Sequence, residues 1–464
     1  MAGQTYYIDP QGGDDANSGL SADKPIQNHA HRDFAPGDTV LFKRGSICRG
    51  GLFARDGSDK GYITYGAYGT GKKPLFLGSV SADEPDRWIE ERPSVWRYTG
   101  VFSSEVCSLV FNGGESCGIF RWQVTDLKHQ GEWHYTAIGA SGELHDFDGQ
   151  AGAAPQSPTD IPRCEDGALY LYSSRNPAQY YSGIECSLWG RRRLVNGQRY
   201  IIFENLAFEN GGVHGYMDVR ADHVIFRACD FRHIGGGTWN RRQRIRFGNA
   251  VEFWDGARDC VVEGCVFENI FDTGVTHQGS PESDVPERIH FRNNLFIHCG
   301  ISAYECRGPA AREIYFENNT CVHAGGDFSL QGESTRQSDF YPYPISHHVF
   351  IWLIEWPDKM GPIYIRNNIF YQTPLGSAIY STIRPEDERH FVIDNNCYWQ
   401  TAGDMLVRLN GKDYGVSDWL RYRKETGQDA HSILADPKFV NAGACDYRLQ
   451  KDSPCPGAGC KLNR

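Results

Sequence analysis

The sequence predicts an all-β protein wound as a right-handed parallel β-helix, and three observations carry that prediction. The first is a repeated pattern: "YIIFENLAF" (200–208), "HVIFRACDF" (223–231), "CVVEGCVF" (260–267), "RIHFRNNLF" (288–296), "EIYFENNTC" (313–321), "PIYIRNNIF" (362–370) and "HFVIDNNCY" (390–398). The second is a column of charge within it, Glu204, Arg227, Glu263, Arg292, Glu317, Arg366 and Asp394, whose sign alternates at every step. The third is the column two positions later: Leu206, Cys229, Cys265, then Asn294, Asn319, Asn368 and Asn396.

Each copy is a β-branched and aromatic run that alternates with period two, the signature of a short strand. Copies 23 to 49 residues apart imply coils of somewhat over twenty residues carrying insertions. Opposite charges attract across neighbouring strands and like charges repel, so strict alternation is expected when successive copies stack in register. Stacked asparagines hydrogen-bond from rung to rung and close the turn between strands. Antiparallel neighbours in a sandwich would not keep one column in order.

Composition agrees. Glycine is abundant at 52 of 464 residues and methionine scarce at 4, which suits a turn-rich β protein. A formal charge of −11 argues against general nucleic-acid binding. No run of 18 apolar residues is present, so no membrane-spanning helix is expected. The start "MAGQTYYID" lacks the charged and apolar regions of a signal peptide, and reads as one from which any export signal there was has been removed. Fifteen cysteines cannot all pair within the chain. Cys229, Cys265 and Cys306 fall in apolar strand patterns and read as core packing, whereas Cys445, Cys455 and Cys460 suggest a disulfide in the tail.

Along the chain, residues 1–80 read as an N-terminal cap and first coils, with "DTVLFKRG" and "KGYITYGAYG" as early strands. Residues 81–185 break the rhythm and read as a β-rich insertion or side lobe in the N-terminal third. Residues 186–400 carry the regular helix, and 401–464 a C-terminal cap and wrapping tail. In the tail, "VSDWLRYRKETG" (416–427) predicts a short helix ended by Gly427. Two insertions, 235–248 and 332–361, leave after the same rung strand at different points of the coil. The first is arginine-rich, either a contact for an anionic sugar or a solvated charged loop.

The rungs, with the opening "YYIDPQGGDDANSGLSADKPIQ" and the closing "TGQDAHSILADPKFVN", resemble the secreted right-handed parallel β-helix proteins that act on polysaccharides. Rungs, opening and tail span well over half of the chain. The resemblance is specific for architecture and does not choose a family. It implies a poly- or oligosaccharide partner and an extracellular or periplasmic location.

Aligning the second strand of each coil on the charge ladder gives "GYMDVR" (215–220), "VEFWDG" (251–256), "VTHQG" (275–279), "YECRG" (304–308) and "FSLQG" (328–332). Strand side chains alternate between faces. Met217, Phe253, His277, Cys306 and Leu330 form one column, expected inside. Tyr216, Glu252, Thr276, Glu305 and Ser329, with Asp218, Trp254, Gln278, Arg307 and Gln331, form two columns expected to face solvent. Carboxylates beside an arginine, amides and an indole make a sugar-binding surface.

The leading expectation is a glycoside hydrolase with Glu252 and Glu305 as its carboxylate pair and Asp218 as alternative partner. Trp254, Arg307, Gln278, Tyr216, His214 and Gln331 would bind the substrate. A structural ion pair between Glu305 and Arg307 is the competing reading. Asp255 and Asp272 sit at turns and read as structural. His277 reads as a core histidine, and His347 and His348 as the wall of a cleft. A lyase on uronic-acid glycans, with Arg307 neutralising the carboxylate and His214 or Tyr216 near the proton, is the alternative. An adhesin that merely binds carbohydrate is the third. No metal or other cofactor is expected: "GGDDANSG" (12–19) carries enough oxygens for calcium, but its spacing is not that of an EF-hand and a cap turn is the expected role.

Overall fold

The computed structural model of the chain describes residues 3–136, 167–190, 193–240, 245–280, 282, 284–308, 310–325, 328, 346–352, 357–373, 376–383, 385–401, 405–409 and 411–461. Among them, three sheets of ten strands each stack along one axis. The chain visits them in turn: Arg199–Glu204 in the first sheet, Ala207–Glu209 in the second and His214–Val219 in the third, before returning to the first at Asp222–Arg227. Pairing within the sheets is parallel except for the closing hairpin Met405–Leu409 with Lys412–Gly415. The parallel β-helix read from the repeat is the fold.

The repeated letters now have separate physical roles. The charge column pairs in register, Glu204 with Arg227, Arg227 with Glu263, Glu263 with Arg292, and on to Asp394. Arg227 reaches Glu263 at 2.8 Å and Glu204 at 3.5 Å, and Arg292 reaches Glu263 at 2.8 Å. The next residue, the first Asn of each pair or its counterpart, turns the chain through the left-handed region. Asn205, Ala228, Gly264, Asn293, Asn318, Asn367 and Asn395 have φ between 50° and 64°, a conformation that asparagine and glycine tolerate best. The second Asn is buried and builds the ladder. Asn319 Nδ2 donates to the Phe291 carbonyl at 2.9 Å and to Asn368 Oδ1 at 3.2 Å, while its own Oδ1 accepts from Asn294.

Inside, rings stack rung on rung. Phe208, Phe231, Phe267 and Phe296 follow one another with centroids 5.1, 5.2 and 4.8 Å apart. Cys229, Cys265 and Cys306 belong to this core, as the sequence pattern required. None of the described cysteines is joined in a disulfide. In the tail, Cys455 packs against the thiol of Cys397 on the second sheet.

Both insertions leave at one corner, between a second-sheet and a third-sheet strand. One separates Asp230–Ile234 from Val251–Trp254, and the other separates Thr320–Val322 from His347–Trp352. This corrects the expectation of two different exit points, and it corrects the strand assignment as well. The rung above Ser302–Arg307 is His347–Trp352, which the sequence reading placed in a loop; most of 328–332, including Ser329, Leu330 and Gln331, lies outside the described residues.

Strands between Ser79 and Leu188 form two small, mainly antiparallel sheets with a core of their own, including Trp88, Leu109, Trp133 and Leu171. Arg246, from the first insertion, ties this lobe to the helix. Its guanidinium is buried, donates to the carbonyls of Gly236 and Cys107, and lies 4.5 Å from the Phe120 ring and 4.9 Å from Phe271. At the other end, the helix Trp419–Thr426 stops at Gly427, whose φ is 70°. Buried Asp429 follows, accepting hydrogen bonds from Tyr398, Tyr422 and Asn396 as it closes the last rung.

Candidate active site

The third sheet brings the candidate residues together. Its ladder pairs Val251 with Val275 and Tyr304, Glu252 with Thr276 and Glu305, Phe253 with His277 and Cys306, and Trp254 with Gln278. Glu252 and Glu305 therefore share one outward column, two rungs apart, with Cα atoms separated by about 9–10 Å. Both are almost completely buried, at 4% and 2% exposure.

Glu252 is enclosed by polar groups from the strand starts. Asn249 Nδ2 donates to its Oε2 at 2.8 Å, and His214 Nδ1 lies 3.2 Å from the same oxygen. That His214 nitrogen accepts the Asn249 backbone N–H at 3.2 Å, and Asn249 Oδ1 in turn accepts the Thr273 N–H at 3.0 Å. Burial pushes the Glu252 carboxyl up to about 7, with Glu305 and Asp272 adding to the rise and the Asn249 bond and Arg307 opposing it. A carboxyl so placed carries its proton close to neutrality.

Glu305 has different company. Trp352 Nε1 donates to its Oε1 at 2.6 Å, and Gln278 Nε2 donates to Oε2 at 3.4 Å. Arg307, on the same strand, stacks its guanidinium 4.4 Å from the Trp352 ring centroid. It therefore meets the indole face, where the sequence reading had allowed for a structural pair with Glu305.

Two predicted members stand elsewhere. Tyr216 pairs with Val251 and Asp218 with Phe253, one position off the expected register. The corner from Val219 to Asp222 is one residue shorter than the equivalent corner from Trp254 to Arg258, and a one-residue slip exchanges the two faces. Tyr216 is thus buried in the core, its hydroxyl donating to the Gly197 carbonyl at 2.8 Å. Asp218 falls in the inward column, bound to Arg193 at 3.0 Å; burial raises its carboxyl and Arg193 opposes the rise. Met217 takes the place beside Glu252. Trp254 is half-buried in the column of Gln278, and Gln331 lies outside the described residues.

His277 is a core residue: its Nε2 meets Tyr304 Oη at 2.9 Å and burial lowers it to about 3. His347 and His348, expected in a loop, occupy a strand of the third sheet and are buried. Asp255 serves a turn, accepting from Ser280 N at 2.7 Å. Asp272 is buried and its charge bears on Glu252, a role that its turn position in the sequence did not signal. Asn249 and Trp352 were missed as well. The signal for Trp352 was present in the alternating run "HHVFIW", which reads as a strand once the loop before it is recognised.

For a metal, the described residues offer one cluster, Asp222, His223 and Asp259, with ligand atoms within 4.8 Å. Its carboxylates are already engaged, Asp222 by Arg258 and Asp259 by Arg288. At the opening turn, Asp15 Oδ1 accepts the N–H groups of Gln27 and Asn28 and Asp14 accepts that of Ala16, so these oxygens cap backbone.

No family model and no curated protein matches this chain. Solved structures similar to it include one described as a glycoside hydrolase, at 11% identity and a TM-score of 0.44, covering 88% of this chain and 95% of the other. The pectate lyase Pel9A is similar at 12% identity and a TM-score of 0.38, covering 100% and 93%. A rhamnogalacturonan lyase is similar at 11% and 0.34, covering 99% and 97%. At these identities and scores no residue role passes from those proteins to this one.

Proposed function

We propose that the chain is a glycoside hydrolase acting on a poly- or oligosaccharide, with Glu252 as general acid and Glu305 as general base. The observation that carries this reading is the pairing of two buried carboxylates in one outward column, one protonated near neutrality and the other bonded by an indole N–H. Glu252 would protonate the departing glycosidic oxygen. Glu305 would take a proton from the attacking water. A separation of about 9–10 Å between their backbones suits the wider carboxylate spacing of inverting hydrolysis, which must admit that water. Trp254 and Gln278, on the neighbouring column, would meet a sugar ring and its hydroxyls. An extracellular or periplasmic location would fit a polysaccharide substrate.

The test is incubation of wild type, Glu252→Gln and Glu305→Gln with neutral and uronate glycans, following reducing ends and ultraviolet absorbance together. Reducing ends without absorbance are expected, reduced roughly 100-fold or more in each variant. Absorbance rising with reducing ends would make the enzyme a lyase. Binding without turnover, unchanged in both variants, would leave a carbohydrate-binding protein.

A further inference from the structure

Two carboxylates that feel one another's charge do not both ionise freely, so something must select which one keeps the proton. Around Glu252 the selection is incomplete. It has one amide donor, Asn249, meets His214 Nδ1 at 3.2 Å, and feels the charges of Glu305 and Asp272 on one side of the balance and of Arg307 on the other. Around Glu305 it is built in.

The indole N–H is a donor with no acceptor capacity, and a donor bonds an ionised carboxylate more strongly than a neutral carboxyl. The Trp352 ring is packed by two neighbours. Phe350 stacks on it with centroids 5.5 Å apart and planes 8° from parallel, and the Arg307 guanidinium lies 4.4 Å from its centroid. Trp352 pairs directly with Arg307 in the ladder, while Glu305 pairs with Phe350, so the indole reaches diagonally across the rung. The ring is itself buried. A buried, packed donor at 2.6 Å is an electrostatic bias on one oxygen.

We infer that Trp352 is the positioning residue of this site: its packed indole N–H fixes Glu305 as the ionised member of the pair and leaves the proton on Glu252. This rests on the acid–base reading above, which it extends by assigning the origin of the two roles. The charged and titratable groups around Glu305 are Glu252 two rungs away, Arg307 on the same strand, Asp272 beyond Glu252, and the inward-facing Tyr304 and Cys306 that flank it in the chain. Arg307 acts in the same direction as the indole but lies against the ring.

The experiment reads protonation directly, on resting protein without substrate. Glutamate carboxyl carbons are labelled with ¹³C and titrated, with Glu252→Gln and Glu305→Gln identifying the two resonances. In wild type Glu305 is expected to ionise before Glu252 as pH rises. Trp352→Phe, which keeps the ring stack and removes the donor, is expected to raise the Glu305 midpoint by about one pH unit or more. The shift should persist in the Glu252→Gln background, where coupling between the pair is absent. In turnover, Trp352→Phe should lower kcat with little change in KM and move the acidic limb of the pH profile upward. An unchanged Glu305 midpoint in Trp352→Phe would reduce Trp352 to packing. Glu252 ionising first in wild type would overturn the inference without any variant, so it is decided even if Trp352→Phe does not fold. Failure of every glycan to be cleaved would count against the hydrolase reading alone, because the titration does not depend on it.

Discussion

At the scale of single residues, burial sets the chemistry. Glu252 titrates near 7 in the fold against 4.5 for an ordinary glutamate. As a general acid it gives activity a basic limb: kcat/KM is expected to fall above pH 7, measured as a pH–rate profile. The same shift bears on stability. A carboxyl raised by folding costs nothing below the unfolded value, and its penalty grows as pH rises from 4.5 to 7. Replacing it with Gln should therefore stabilise the protein at pH 8 by up to about 3 kcal/mol and have little effect at pH 4, read from paired denaturation curves. Histidines work the other way. His277 and His348 are buried and lowered to about 3, so each takes up a proton on unfolding between pH 6.5 and 3. Stability should be lost progressively across that acid window.

At the scale of elements, the ladders carry different weights. The asparagine ladder is buried, and each member satisfies backbone groups on neighbouring turns. Asn319→Leu should cost about 3 kcal/mol, because it strands the Phe291 carbonyl and the Asn294 amide in the core. The charge ladder is partly exposed, so its pairs contribute little individually. Arg292→Glu would place a third acidic side chain between Glu263 and Glu317. It should lower the thermal midpoint by only a few degrees, an effect that 0.5 M salt largely removes.

The strands of the first and second sheets were legible because their repeat keeps a constant spacing from charge to turn to asparagine. The third sheet was legible only in part, because the corner that follows it changes length from coil to coil, so the charge column does not fix its register. Glu252, Thr276 and Glu305 were aligned correctly, and Tyr216 and Asp218 were set one position off. His347–Trp352 was hidden for a related reason: a long insertion separates it from its rung, and the nearer segment 328–332 offered a competing alternation. Period two identifies a strand but not its neighbour.

For the molecule as a whole, stacking and the side lobe are separate sources of stability. Each coil contacts mainly the coils above and below it, so stability is expected to be nearly additive along the axis. The lobe between Ser79 and Leu188 is joined through Arg246, whose charge sits among Phe120, Phe271 and two carbonyls. Arg246→Ala should strand those carbonyls and cost about 3 kcal/mol. Limited proteolysis is expected to cut the lobe in this variant before the helix. An unchanged cleavage order would show that the lobe is held elsewhere.

By itself the sequence determined the winding of the chain. Sign alternation, asparagine stacking and aromatic repetition are one-dimensional patterns that only in-register parallel coils satisfy, and they also placed Glu252 and Glu305 on one face. The tertiary structure alone decided what surrounds those carboxylates. Asn249 and His214 come from different coils, Asp272 from a corner, and Trp352 from beyond an insertion. Their effects depend on distance and burial, and neither is written in the spacing of residues along the chain.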